Sequence, residues 1–417
     1  MPKINKIIVS KFYKDIFILF KGTVIAQIIA FLASIFLAKL YGANAFGLFG
    51  VFVSTASVFA IINTLQLDNF IILSKKKTDS KNWTRFLLIL TPFISVLLSF
   101  LLFLSLPFLT NQKINETTVL LSGFAAILLS YNKISEAFLT FNKDFIPISF
   151  AKIIFVIANI SMQYVLFFYY QNTGLIYGFI VALLSVCIYY FIKNSNVFGN
   201  YQFKKIKKDI HKNTSILTYL LPSNIINSMA LHAMPILILA FFSDKEAGVY
   251  FFSLKILAAP LFLISSSVSQ VFYQKSEDLH QTDNTLLYHL SKKVIKTNVL
   301  LMLFFIVIIN TIGIKILEIY LDKGWEQLKI FTFLLSFLVL ARASFNPISS
   351  LIIVLHKNHI GLIFNVYLLL INLIAIYVGY QFSDIIYTII ILTIFGGVGY
   401  LVLLTYFLRH LKKIQDV

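Results

Sequence analysis

The chain has 417 residues, of which 59% are hydrophobic and only 12% charged, with a mean hydropathy of +0.87. A soluble domain carries about 25% charged and about 45–50% apolar residues, so this composition excludes a soluble enzyme, a disordered chain and a secreted disulfide scaffold. A single cysteine, Cys187, excludes an internal disulfide or a multi-cysteine metal site, and the net charge of +18 suits either nucleic acid or a membrane surface.

A helix that crosses hydrocarbon needs about 20 mostly apolar residues. Twelve stretches qualify: 16–40, 46–73, 86–109, 117–141, 146–170, 174–192, 216–242, 248–272, 297–320, 330–355, 360–380 and 385–408. They are apolar all round and too long for barrel strands. The first has no small-residue cleavage site and is read as a retained span, with Lys21 on it. The second ends near Asp68. The fourth carries Lys133 and Glu136, which stand three apart on one helix face and so can pair. The sixth closes a first half at residue 192, and 193–215 is a basic linker with the run Lys204 to Lys208. The seventh span holds His232 between Pro222 and Pro235. The eighth holds Lys255 and Pro260, and the tenth holds Arg342 and Pro347.

The loops orient these spans, because Lys and Arg collect on the cytoplasmic side. Alternate loops and both tails hold 24 basic residues, the opposite loops 4, and the spans 7. Both termini are therefore expected in the cytoplasm, with an even number of spans. The expected architecture is an all-α integral membrane protein of about twelve transmembrane helices: a half at 1–192, the linker at 193–215, and a half at 216–417. The linker is too short for a folded nucleic-acid module, so its partners are expected to be anionic lipids and not nucleic acid.

A short repeat supports two halves. Tyr41-Gly42-Ala43-Asn44-Ala45-Phe46-Gly47-Leu48-Phe49 aligns with Phe242-Ser243-Asp244-Lys245-Glu246-Ala247-Gly248-Val249-Tyr250 at a constant offset of 201. Halves of six spans share one orientation, as in parallel-repeat transporters that rock about a central cavity.

No GxxxxGK[ST], HExxH or CxxC motif is present, so no catalytic, metal or ATP site is expected. The informative residues are ionisable ones within spans, which are costly in hydrocarbon and face a cavity or a partner. Lys39, Lys152, Lys315 and Glu318 lie near span ends and snorkel. Lys255 and Arg342, with Lys133 and Lys21, are the candidate cavity cations. Asp68, Glu136 and His232 are candidates for coupling to H+ or Na+. Pro222, Pro235, Pro260 and Pro347 are candidate kinks for gating. Seven basic against three acidic residues in the spans suit an anionic substrate such as a diphosphate.

Two blocks carry a resemblance. One is Gly22-Thr23-Val24-Ile25-Ala26-Gln27 followed by Phe36 to Phe52; the other is Leu221 to Phe242 followed by Ala247 to Gln274, with Lys255, Pro260 and Val268-Ser269-Gln270-Val271-Phe272. In these the chain resembles the Wzx-type oligosaccharide flippases, a polysaccharide-export branch of the MATE-like superfamily. It departs at Gln66-Leu67-Asp68-Asn69-Phe70-Ile71, where the family often has an arginine at the Gln66 position. The resemblance implies a MATE-like fold in a bacterial inner membrane. It implies movement of undecaprenyl-diphosphate-linked repeat units of O-antigen or capsule to the outer leaflet, in company with other polysaccharide assembly proteins. A drug or cation antiporter of the same superfamily is the alternative. A membrane polysaccharide polymerase is less favoured, since no outer loop is long enough for a catalytic domain.

Overall fold

A computed structural model describes residues 2–105, 116–194, 197, 202–212, 221–321 and 324–415. Side chains are described for these except at 2–23, 105, 204, 208, 211, 212, 262–267, 270, 271, 274 and 415. The described residues are predominantly helical, with no strand among them. Nine of their helical stretches are long and apolar enough to cross a membrane. Two of the nine, Val24–Thr64 and Ile146–Lys193, are 41 and 48 residues long and hold two of the expected spans each. The protein is a multi-pass membrane protein. Apolar residues at helical spacing stay exposed, as Phe93, Val96, Leu97 and Phe100 do, and Leu300, Leu303, Phe304 and Val307. Such stripes would aggregate in water but match lipid tails.

The chain divides into two compact units. Unit 1 comprises Met1–Leu37 and Val51–Ser228; unit 2 comprises Ala38–Gly50 and Met229–Val417.

The first helix, α1 (Pro2–Thr64), runs through both units. The expected loop at 41–45 is instead a kink: Gly42 takes φ 75 and ψ 174, and the helix resumes. A residue without Cβ occupies that region at no steric cost. The second expected span also differs. Helix stops at Thr64, Leu65 and Gln66 turn through positive φ, and a short helix α2 (Asn69–Leu73) follows. Unit 1 continues with α3 (Lys77–Ser105), α4 (Glu116–Phe141), α5 (Ile146–Tyr170), α6 (Gly174–Lys193) and α7 (Phe203–Lys212). α3 packs on α4, α5 on α6, and α4 on α6. Close approach depends on small residues in these pairs: a Cβ on Gly123 would overlap Ser99, and one on Gly178 would overlap Gln163.

The basic run in the linker folds as α7 and docks on α3. Ile206 is fully buried with Trp83, Leu87 and Phe138, and Trp83 stacks on Phe70 at 4.6 Å. Lys205 pairs with Asp79, Trp83 Nε1 donates to Asp209 Oδ2 at 3.3 Å, and Asn82 Oδ1 accepts from the Gln202 amide at 2.6 Å.

Unit 2 contains α8 (Leu221–Phe241) from Met229 onward. It continues with α9 (Asp244–Thr282), α10 (Asn284–Ile308), α11 (Ile314–Tyr320), α12 (Leu328–Phe345), α13 (Leu351–Val354), α14 (Asn358–Gln381) and α15 (Ile385–Gln415). Ser243 caps the start of α9: its Oγ accepts from the Glu246 amide at 3.1 Å and donates to the Glu246 carboxylate at 2.7 Å. α12 lies against α9, α10 and α15, burying Phe331, Leu335 and Val339. It ends at Phe345, and a 3₁₀ turn at Asn346–Ile348 breaks the tenth expected span before α13. Lipid cannot satisfy the freed carbonyls of such a break; Asn298 Nδ2 on α10 supplies the donor to Ala343 O.

The repeat at offset 201 is realised as a symmetric contact inside unit 2. A Cβ on Gly47 would overlap the Asp244 carbonyl, and a Cβ on Gly248 would overlap the Ala43 carbonyl. Residue 47 maps onto 248 and residue 43 onto 244, so the contact is isologous. Phe46, Phe252 and Trp325 pack beside it at centroid distances of 5.5, 5.8 and 4.9 Å.

Candidate functional site

Each helix break sets a charged side chain. In unit 1 the turn before α2 places Asp68, 5% exposed, at the foot of α4. Its Oδ2 lies 3.1 Å from Lys133 Nζ. Lys133 therefore pairs across to α2 and not along its own helix to Glu136. The other carboxylate oxygen, Asp68 Oδ1, is buried without a hydrogen-bond partner, as is Asn63 Oδ1. A buried acceptor left unpaired costs about 1–3 kcal/mol, so both oxygens are open to a hydrogen-bond donor or a cation. Gln66, at the position of the family's arginine, is buried in the turn, where its carbonyl accepts from Asn69 Nδ2 at 3.0 Å. Glu136 faces α6 and accepts from Tyr190 Oη at 3.3 Å, within electrostatic range of Lys152.

In unit 2 the break after α12 places Arg342 in the last helical turn, where the helix dipole favours a cation. Arg342 Nε is buried and makes no hydrogen bond. The guanidinium lies within electrostatic range of His232 on α8 and of Tyr250 on α9. A half-buried guanidinium with an unused donor fits an anion that brings acceptor oxygens. Lys255, one helical turn beyond Phe252, has its Nζ 5.9 Å from the centre of the Phe46 ring. This is the outer limit of a cation–π contact. Lys255 thus lies under the Phe46, Phe252 and Trp325 cluster, and Arg342 beside His232.

The prolines divide. Pro235 and Pro260 sit inside continuing helices, Pro222 is the second residue of α8 as described, and Pro347 lies in the 3₁₀ turn of the break. The Lys21 side chain lies outside the described residues. No group of three or more His, Cys, Asp or Glu side chains that could hold a metal occurs among the described residues.

Sequence reasoning missed the Asp68–Lys133 pair, the Tyr190 partner of Glu136 and the aromatic cluster. Only the break at Asn346-Pro347 carried a local signal, since Pro347 has no amide to donate and its ring crowds the carbonyl of Ala343, four residues back.

Residues 36–329 match the family described as polysaccharide biosynthesis protein. The chain belongs to the polysaccharide biosynthesis protein family. No curated protein matches the sequence. Among solved structures, the lipid II flippase MurJ in an inward closed conformation is similar, with a TM-score of 0.72, 16% identity, and 95% of this chain and 90% of that one covered. An inward-facing multidrug resistance MATE family transporter of the MOP superfamily is similar at TM-score 0.69 and 14% identity, over 93% and 96% of the two chains. A mutant of the Vibrio cholerae MATE transporter VcmN is similar at TM-score 0.61 and 14% identity, over 97% and 98%. This member of the polysaccharide biosynthesis protein family therefore has the fold of the MOP-superfamily transporters, as the two sequence blocks implied. The proteins it resembles in fold are transporters and flippases.

Proposed function

We propose that the protein moves undecaprenyl-diphosphate-linked oligosaccharide repeat units from the cytoplasmic to the outer leaflet by alternating access, for O-antigen or capsule synthesis. The observation that carries this reading is Arg342: a buried guanidinium nitrogen without a hydrogen-bond partner, at a helix end, in a chain of a polysaccharide biosynthesis family. Diphosphate supplies the acceptors that Arg342 lacks, with Lys255, Lys133 and Lys21 as further cations. Twelve crossings, cytoplasmic termini and halves at 1–192 and 216–417 joined by 193–215 belong to the same proposal, supported by the 24-to-4 division of basic residues. So do residence in a bacterial inner membrane and work beside other polysaccharide assembly proteins.

The coupling ion is proposed to be H+ or Na+, taken by Asp68, Glu136 or His232. The orphaned Asp68 oxygen supports Asp68 among these. Protein in sealed vesicles with a fluorescent lipid-linked oligosaccharide tests the whole reading. Transfer between leaflets that falls at least about tenfold in Arg342→Ala is the expected result. Uptake of a cationic dye with no movement of the oligosaccharide would establish the antiporter alternative instead.

A further inference from the structure

Unit 1 carries a concave feature, remote in sequence from Arg342 and lined by none of the charged residues assigned to transport. At the ends of α3, α4 and α6 lies a cleft of about 540 Å³ whose lining includes Lys77, Lys81, Lys143 and Lys193. Asp144 is the carboxylate in the same lining, so the charged side chains there leave three net positive charges. Lys77, Lys143 and Lys193 are exposed and Lys81 is half-buried.

Deeper along the same three helices lies a pocket of about 350 Å³, lined by Leu88 of α3, Tyr131 and Ser135 of α4, and Cys187, Ile188 and Phe191 of α6. Asn194 lines both. From Asn142 in the cleft to Tyr131 in the pocket is eleven residues, or about 16 Å of helix rise. The rim of the pocket is open to the membrane medium, because Ile188 and Phe191 are 60% and 61% exposed. A cationic mouth joined at Asn194 to an apolar slot has the charge and polarity of an anionic amphiphile.

We propose that the cleft and pocket form one binding site for an anionic phospholipid. The phosphate sits among Lys77, Lys81, Lys143 and Lys193, where ammonium groups make charge-assisted hydrogen bonds to its oxygens. One acyl chain runs between α3, α4 and α6 past Cys187. A soluble phosphate would use the mouth alone and leave the slot without a role. A zwitterionic lipid would bring its own cation into a site that already has four.

Native mass spectrometry of the full chain in mild detergent tests this with phosphatidylglycerol, phosphatidylethanolamine and inorganic phosphate as probes. Phosphatidylglycerol is expected to remain bound, and Lys81→Gln with Lys143→Gln is expected to weaken its retention about tenfold. Lys143 lies on an exposed turn, so Lys143→Gln alone gives a smaller loss in the same direction if the double variant does not fold. Ser135→Phe, which fills the slot and leaves every lysine, is expected to release the lipid as well. The charge-matched pair Lys292→Gln with Lys293→Gln, on α10, is expected to retain it. Equal retention by the parent and the Lys81 and Lys143 variants would overturn the proposal. So would equal loss in the α10 control, which marks general attraction to charge, or displacement of the lipid by inorganic phosphate, which marks a soluble anion site.

Discussion

The isologous contact between Gly47 and Gly248 makes the most demanding prediction. Adding one methyl group at Gly47 drives a Cβ into the Asp244 carbonyl, and at Gly248 into the Ala43 carbonyl. Both obstacles are backbone, so no side chain can rotate away. The two helix segments must separate by more than about 1 Å to restore a carbon–oxygen contact. Overpacking of this kind costs about 1–3 kcal/mol, and the separation also loosens the Phe46, Phe252 and Trp325 cluster, where each aromatic pair contributes about 0.5–1.5 kcal/mol. We expect Gly47→Ala and Gly248→Ala each to cost about 2–3 kcal/mol. A unit of this size shifts by about 2–4 °C per kcal/mol, which gives a fall of about 4–12 °C in the unfolding midpoint in detergent, read by tryptophan fluorescence. Symmetry adds a second condition. The double variant should lose less than the sum, because one methyl group has already parted the segments that the other must part. Gly313→Ala is the control, since its Cβ would meet nothing nearer than 3.6 Å. Midpoints within about 1 °C of the parent for both glycine variants, or strict additivity, would refute the argument.

Lys133→Met should destabilise the protein by about 1–3 kcal/mol, less than a fully buried pair because Lys133 is 39% exposed, and Asp68→Asn added to it should recover most of the loss; thermal unfolding of the single and double variants checks this. Tyr190→Phe removes the hydroxyl that donates to Glu136 and should cost about 1 kcal/mol in the same assay. A parent-like midpoint would show that the hydroxyl contributes nothing net. Glu326, in the loop before α12, pairs with Lys245 at 2.8 Å and accepts from the Gly324 amide. The Lys245 hydrogen bond, then the backbone amides of Glu326 itself and of Gly324, hold its carboxyl at about 2. Its folded pKa lies below its unfolded one, so the stabilisation is present above about pH 4.5 and fades as pH falls toward 2. The midpoint difference between parent and Glu326→Gln should accordingly be small and favour the parent at pH 7, and narrow below pH 4.5; a difference that grows in acid would reverse the assignment.

Class and fold family were legible because hydrocarbon leaves a helix little choice of composition, and because Leu221 to Gln274 carries recognisable residues. The breaks within spans were less so. Asn346-Pro347 announces one of them. The break at 65–68 has neither glycine nor proline, and relies on Leu65 and Gln66 adopting positive φ, which side chains seldom do. The partner of Lys133 was hidden for the same reason: spacing along α4 favoured Glu136, and only the break delivers Asp68 to it. Phe46, Phe252 and Trp325 are far apart in the chain and meet only through the kink at Gly42 and the packing of α9. Periodicity within a helix carries no record of such encounters.

Residues 38–50 belong with unit 2, although the chain on either side of them belongs to unit 1. During synthesis this segment leaves the ribosome about 200 residues before its mate. At about 5–20 residues per second it waits roughly 10–40 s for the surface it packs on. A gene cut at the linker would strand it in the first fragment, so the two pieces should complement each other only when both are made in the same membrane.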